Sequence, residues 1–279
     1  MNMDVHSYCQ QRAAESGSSF YYAFRYLPLH RKQAITAFYA FCREVDDIAD
    51  ECSDPEVART KLAWWRDEVT NLYADHPTHP VTRALVEAIH VFELPRMAFD
   101  LILEGMEMDL GRVRYPNFKQ LQVYCNRVAG VVGETSALIF GVTDKNTLHY
   151  ANRLGLAMQL TNIIRDVGED MRRDRIYLPQ DEMARFGVTN ADLLQSEPSH
   201  NLRELMKVHY LRARAHYDEA IGLLPDVDRK AQRPGLIMAA IYRRLLDEIR
   251  HQRFHVLDRR IALKPITKFW LAWTTWMKG

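Results

Sequence analysis

The chain has 279 residues, 47% of them hydrophobic and 26% charged, with a formal net charge of +1. That is the mix of a globular protein with one large core or two small ones. The near-neutral balance gives no global field for nucleic acid or anionic lipid, so basic residues matter only where they cluster.

The first residues, MNMDVHSYCQQRAAE, lack a basic region followed by an apolar one, which predicts no cleaved signal peptide. No run approaches the ~20 apolar residues that span a bilayer. Cys9, Cys42, Cys52 and Cys125 form no C-x-x-C pair and no zinc spacing, so they read as free thiols of a reducing, cytoplasmic compartment. Apolar residues recurring at three and four predict helices over 31–50, 56–74, 79–92, 95–110, 117–140, 146–169, 200–223 and 234–254. Pro, Gly, Asn and Asp clusters separate them, among them Tyr115-Pro116-Asn117 and Leu224-Pro225-Asp226. Alternating strand patterns are almost absent. The expectation is an all-α protein, a single domain over residues 1–279. Several helices are apolar on more than one face, which suggests packing around a central space. Gly130 and Gly133, three apart in one of them, serve either close helix packing or room for a ligand.

Two acidic stretches interrupt this apolar pattern. In REVDDIADE, residues 43–51, Asp46 and Asp50 stand at i and i+4 on one helix face, with Arg43 on the same side. Alone, such a pair reads as a solvated acidic face. A second stretch, QLTNIIRDVGEDMRRDRIYLP at 159–179, repeats the spacing with Asp166 and Asp170. It adds Asn162 four residues before Asp166 and Gln159 three before that. A polar stripe on an apolar helix is costly unless it is paired or solvated. Two such stripes facing each other would repel without a counter-ion. Oxygen-only donors, with no His or Cys, suit a hard cation: Mg²⁺ first, with Mn²⁺ also accommodated. The nearby Arg43, Arg165, Arg172, Arg173 and Arg175 suit a diphosphate. The chemistry indicated is metal-assisted departure of diphosphate. No P-loop, Rossmann glycine motif, H-E-x-x-H or G-x-S-x-G is present.

With these blocks in place, the sequence resembles the squalene/phytoene synthase family, the head-to-head prenyl synthases. The matching strings are GSSFYYAFRYLP (17–28), YAFCREVDDIADE (39–51), YCNRVAGVVGE (124–134), the 159–179 block, YRRLLDEIR (242–250) and DRRIALKPITK (258–268). The resemblance implies an isoprenoid synthase fold, helices around a central active-site cavity, with the two aspartate-rich helices facing each other at its mouth. By position, Asp46, Asp50, Asn162, Asp166 and Asp170 are the expected metal set, with Gln159 beside it. Ser18 and Ser19 fall in a flap over the diphosphate; relatives often carry Ser-x-Ser-Phe there, whereas here the serines are adjacent. Arg43, Arg165, Tyr242 and Arg259 match diphosphate-contacting positions, and Tyr124 matches a tyrosine of the cationic steps.

The finer strings SSFYYAF, AFCREVDDIADE and RRIALKPITKFWLA resemble bacterial presqualene diphosphate synthases of hopanoid pathways. That subgroup implies condensation of two farnesyl diphosphates, with no NADPH. Phytoene, dehydrosqualene and squalene synthases are the alternatives; the last continue, in eukaryotes, into a membrane anchor not seen here. A non-catalytic assembly-factor homologue is a remoter one, since such a protein should have lost aspartates. A carbocation needs a dry cavity, for which Phe20, Tyr21, Tyr22, Phe38, Tyr39 and Phe140 are candidate lining. Finally, KPITKFWLAWTTWMKG places Trp270, Trp273 and Trp276 three apart, flanked by Lys264, Lys268 and Lys278. If helical, this end would carry an aromatic stripe with a basic edge, suited to peripheral contact with the inner face of a membrane or to packing on the domain.

Overall fold

Turn residues and helix caps begin the helices where the sequence places its breaks. Asp54 accepts from Glu56 N at 2.9 Å ahead of Pro55, Asn117 accepts from Gln120 N at 3.1 Å, and Ser199 accepts from Leu202 N at 3.2 Å. In a computed structural model that describes residues 4–15, 23–24, 27–52, 54–111 and 113–278, the chain is helical almost throughout. The first half holds α1 (Val5–Glu15), α2 (Leu29–Glu51), α3 (Pro55–Tyr73), α4 (Pro80–Val91) and α5 (Arg96–Met108). The middle holds α6 (Phe118–Cys125), α7 (Val131–Phe140) and the long α8 (Asn146–Arg172). Short α9 (Gln180–Arg185) and α10 (Asn190–Leu193) lead to α11 (His200–Leu223), α12 (Asp226–Arg229), α13 (Arg233–His251) and α14 (Pro265–Lys278). A two-residue parallel sheet pairs β1 (Val113–Arg114) with β2 (Arg175–Ile176).

The helix expected over 117–140 is interrupted. Between α6 and α7, Asn126–Gly130 forms one wide turn, in which Val131 N–H reaches back five residues to Asn126 O. Beside it, Asn152 donates to Asn126 at 2.7 Å and to Glu134 at 2.6 Å. Gly130 and Gly133 first serve close packing: a Cβ on Gly130 would lie 2.9 Å from Asn152 Nδ2 and one on Gly133 2.3 Å from Ala151 O, while on the facing helix one on Gly155 would lie 2.2 Å from Ala129 O. Helix α8 therefore crosses this segment nearly backbone to backbone. Of the pair, Gly133 also leaves room for a ligand, since it lines the cavity described below together with Gly155, whereas Gly130 is not part of that wall.

Apolar burial divides into two clusters. One surrounds α8, α11 and α13, with Tyr150, Leu160, Ile164, Leu205 and Tyr217 fully buried. The other joins α2 to α5, with Ile35, Phe38, Phe41, Leu62 and Phe99 at its centre. Val128, Met158, Tyr242 and Leu263 pack against both. Buried carboxylates tie the ends of helices. Asp228 accepts from Thr143 N and Asp144 N at 2.9 Å and from Thr147 Oγ1 at 2.6 Å, holding the start of α8. Glu68 accepts from Thr78 N, His79 N and Thr82 Oγ1 at the start of α4. Such hydrogen bonds to a charged acceptor contribute on the order of 1.5–3 kcal/mol each.

Candidate active site

A cavity of about 570 Å³ opens at the seam between the two clusters, with walls from α2, α5, α7, α8 and α13. Its interior is mostly apolar, lined by Ile102, Val132, Phe140, Leu154 and Met238 among others. Asp46, Asp50, Asp166 and Asp170 all line the same cavity. Thus i, i+4 spacing on α2 and on α8 delivers two carboxylate pairs to one opening. The rest of the acidic run on α2 goes elsewhere. Asp47 and Glu44 bind Arg12 of α1 at 2.7 and 2.8 Å, which explains why so many carboxylates sit in one stretch.

Arginines interleave with these carboxylates. Arg43 Nη1 donates to Asp46 at 2.7 Å, and its other nitrogen pairs with Asp47. Across the opening, Arg175 donates to Asp50 at 2.5 Å and to Ala49 O at 2.6 Å, while Arg173 pairs with Asp50 at 3.2 Å. Arg165 forks onto Asp166, and Arg260 reaches the same carboxylate at 3.1 Å. Arg172 turns away to Leu257 O at 2.8 Å, so it does not join the basic set at the mouth. A residue from the C-terminal strap is also present, but it is Arg260. Arg259, expected there from the resemblance, is exposed and not part of the cavity wall. The strap comes so close because Gly168 lacks a side chain; a Cβ there would lie 2.1 Å from Leu257 O.

Burial pushes the Asp46 carboxyl up to about 7, with Asp50 adding to the rise and Arg43 opposing it. Burial pushes Asp170 up to about 8, with Asp166 adding and Arg175 opposing. The Asp170 carboxylate accepts no hydrogen bond among the described residues, and Asn162 Oδ1 is buried without a partner. Asn162 Nδ2 is held by Gln159 Oε1 at 3.3 Å. Among the described residues no three acidic, His or Cys side chains converge into a ready cage. The donor set nevertheless fits Mg²⁺, which keeps waters and takes phosphate oxygens, and so needs one or two carboxylates from each side rather than a closed protein shell. The unpartnered Asn162 oxygen and the Asp170 carboxylate are the open acceptors such an ion would use.

Deeper in lies a group that the sequence reading missed in part. Tyr124, expected at the site, donates to Asp109 Oδ2 at 2.7 Å, and Tyr177 donates to Asp109 Oδ1 at 2.6 Å. Tyr115 completes a stack of three rings, 5.5 Å from Tyr124 and 6.0 Å from Tyr177 between centroids. Burial pushes Asp109 up to about 6, against the pull of its two phenol donors. Tyr242 also lines the cavity; burial raises its phenol, with Arg165 beside it opposing. Tyr39 and Phe140 line the cavity as expected. Phe38 does not: it is 1% exposed and packs edge-on against Phe99 at 5.8 Å in the α2–α5 core. Ser18, Ser19, Phe20, Tyr21 and Tyr22 lie outside the described residues.

Residues 13–267 match the family described as Squalene/phytoene synthase. The chain is 37% identical over 274 residues to a phytoene synthase of Arthrospira platensis, covering 92% of this chain and 87% of that one. It is 32% identical to the chloroplastic phytoene synthase 1 of Arabidopsis thaliana, covering 95% of this chain and 64% of the longer plant protein. Among solved structures, it superposes on a dehydrosqualene synthase in complex with ligand with a TM-score of 0.87, at 30% identity over 98% of this chain and 96% of that one. On the squalene synthase HpnC from Alicyclobacillus acidocaldarius the TM-score is 0.79, at 27% identity over 90% and 94%.

Proposed function

Because the chain belongs to the squalene/phytoene synthase family, a family of head-to-head prenyltransferases, we infer that it joins two farnesyl diphosphates into presqualene diphosphate. The observation that carries this reading is the two-sided mouth: carboxylate pairs from α2 and α8, interleaved with arginines, over a cavity lined largely by apolar side chains. Asp46, Asp50, Gln159, Asn162, Arg165, Asp166, Asp170, Tyr124, Tyr242 and Arg43 all lie on that wall, which supports the roles that the resemblance implies for them.

Bound by Asp46, Asp50, Asn162, Asp166 and Asp170, Mg²⁺ would supply Lewis acidity to the departing diphosphate. The rest is the work of this chain. Arg43, Arg165, Arg173, Arg175 and Arg260 exchange carboxylate partners for diphosphate oxygens, so the leaving group meets positive charge already in place. The C1–O bond of one farnesyl diphosphate breaks. The C2=C3 electrons of the other attack the resulting allylic cation, and loss of one proton closes the cyclopropane. The inorganic diphosphate that departed is the base nearest to hand. The apolar wall excludes water, which would quench the cation. The Tyr124 and Tyr177 rings in the cavity wall present π-faces to positive charge, Tyr115 packs beside them, and Asp109 holds the two in place.

A second reading, phytoene synthesis from two C20 diphosphates, is favoured by the names of the curated relatives. Purified protein given Mg²⁺ with farnesyl or geranylgeranyl diphosphate, with and without NADPH, separates the readings by product mass. A C30 cyclopropyl diphosphate formed without reductant supports the first. A C40 hydrocarbon formed from the C20 substrate alone moves the assignment to the second. The exposed face of α14 extends the same reading to a lipid surface.

A further inference from the structure

Helix α14 carries an apolar face that no described residue covers. At 100° per residue, Ile266, Phe269, Trp270, Trp273 and Met277 fall within an arc of about 100°. Trp270 is 60% exposed, Ile266 71% and Met277 67%. The Trp270 and Trp273 rings lie together, 5.3 Å between centroids. The other side of the helix holds it to the protein. Ala272 is buried, Leu271 packs on the α2–α5 core, and Trp276 lies under the Arg233 guanidinium at 4.8 Å. The expected stripe of three tryptophans is thus two. Steps of three residues turn 300°, so each drifts about 60° from the last, and Trp276 has rotated inward.

Charge points the same way. From Arg259 to the end, the chain carries Arg259, Arg260, Lys264, Lys268 and Lys278 and no Asp or Glu. Lys268 is partly buried, and burial, with the charges of Arg165 and Arg260, lowers its amine. Arg259 and Lys264 remain exposed.

The geometry points to α14 as a docking surface for an anionic lipid bilayer, lying in the headgroup plane with its indoles at the interface. This rests on the prenyltransferase reading, in which substrate and product are both lipids. Paired tryptophans on an amphipathic helix are suited to the headgroup boundary, and the exposed Arg259 and Lys264 at its start are suited to anionic lipid. Because Leu271, Ala272 and Trp276 hold the opposite side to the protein, the helix lies along the bilayer surface. No helix among the described residues is long and apolar enough to cross one.

The test compares the full chain with a Trp270→Ser/Trp273→Ser variant on vesicles of phosphatidylcholine with and without phosphatidylglycerol. The readouts are sedimentation and quenching of tryptophan by brominated lipid. Wild type should sediment with anionic vesicles, less at high salt, and the variant should partition about tenfold or more weakly. Both should turn over equally in detergent. If the double variant is misfolded by circular dichroism, Ile266→Ser/Met277→Ser replaces it. Equal sedimentation of wild type and variant overturns the proposal. So does a wild-type dimer in solution that the variant converts to monomer, since the face then belongs to a second copy. Vesicle binding without any prenyl transfer in detergent would support docking while refuting the proposed reaction.

Discussion

Tyr124 and Tyr177 stack with ring centroids 5.2 Å apart and planes 26° apart, and their hydroxyls grip opposite oxygens of one buried carboxylate, Asp109. One acid thus orients two rings in the cavity wall, where the proposed reaction would form a cation. Tyr124→Phe removes one donor and leaves a carboxylate oxygen unpaired. We expect kcat to fall about tenfold or more and stability to drop by about 1–3 kcal/mol. Asp109→Asn, which retains an acceptor, should cost activity more than stability. Steady-state kinetics beside thermal melts would check both. An unchanged kcat in Asp109→Asn would remove the orienting role.

Asp46→Asn and Asp166→Asn should each abolish turnover with the fold intact by circular dichroism. Each carboxylate is partnered by arginine and lies at the cavity mouth. Loss of one anionic donor weakens the charge stabilisation where diphosphate departs. Retention of more than about a tenth of wild-type kcat, a barrier change under ~1.4 kcal/mol, would refute an essential role.

Gly155→Ala inserts a methyl 2.2 Å from Ala129 O, a backbone atom that cannot swing aside. Helix α8 and the 126–130 turn must separate, and overpacking of this kind costs about 1–3 kcal/mol. A chemical denaturation curve should show a lower midpoint. A midpoint equal to wild type would show that the crossing is looser than drawn.

Acid should unfold the protein in part through Glu182. Burial opposes its charge, but His209 Nε2 at 3.0 Å and Arg212 at 2.5 and 3.1 Å bring the carboxyl down to about 2. A depressed carboxyl gives stability that is full above its unfolded value, near 4.5, and is lost as pH falls toward 2. Burial lowers the His209 imidazole below 6.5, against the pull of Glu182. Its neutral folded form therefore loses ground to the protonated unfolded chain as pH drops through 6.5. Both act in one direction, so Tm should decline on acidification. Glu182→Gln should be less stable at neutral pH and show a shallower decline below pH about 4.5. Parallel pH profiles for the two proteins would exclude Glu182 as the source.

The paired aspartates were legible because i, i+4 spacing on a helix is itself a statement about one face. Helix positions were legible for the same reason; the segment expected over 200–223 is α11 to the residue. The interruption at Asn126–Gly130 was not, because a wide turn leaves apolar spacing almost unchanged. Asp109 carries no pattern at all. It stands at the end of α5 after Glu104 and Glu107, at neither the i, i+3 nor the i, i+4 spacing from them, and is brought to Tyr177 by an encounter 68 residues away in sequence. Arg260 rather than Arg259 at Asp166 depends on how the strap lies over Gly168, a backbone contact that no spacing reports.

The smallest element in the fold bears on how the gene tolerates insertions and deletions. Pairing of Val113 with Arg175 and of Arg114 with Ile176 sets Arg175 two residues before Tyr177 on an extended segment, so both side chains leave from one side. One reaches Asp50 at the rim, and the other reaches Asp109 within. A single codon inserted between Asp174 and Arg175 would leave every helix intact, yet it would shift this register by one and turn both side chains to the opposite face. Elsewhere in the chain, surface loops can absorb such a change. Here two residues of sheet act as a reading frame for the site, and length, more than composition, is what selection must keep.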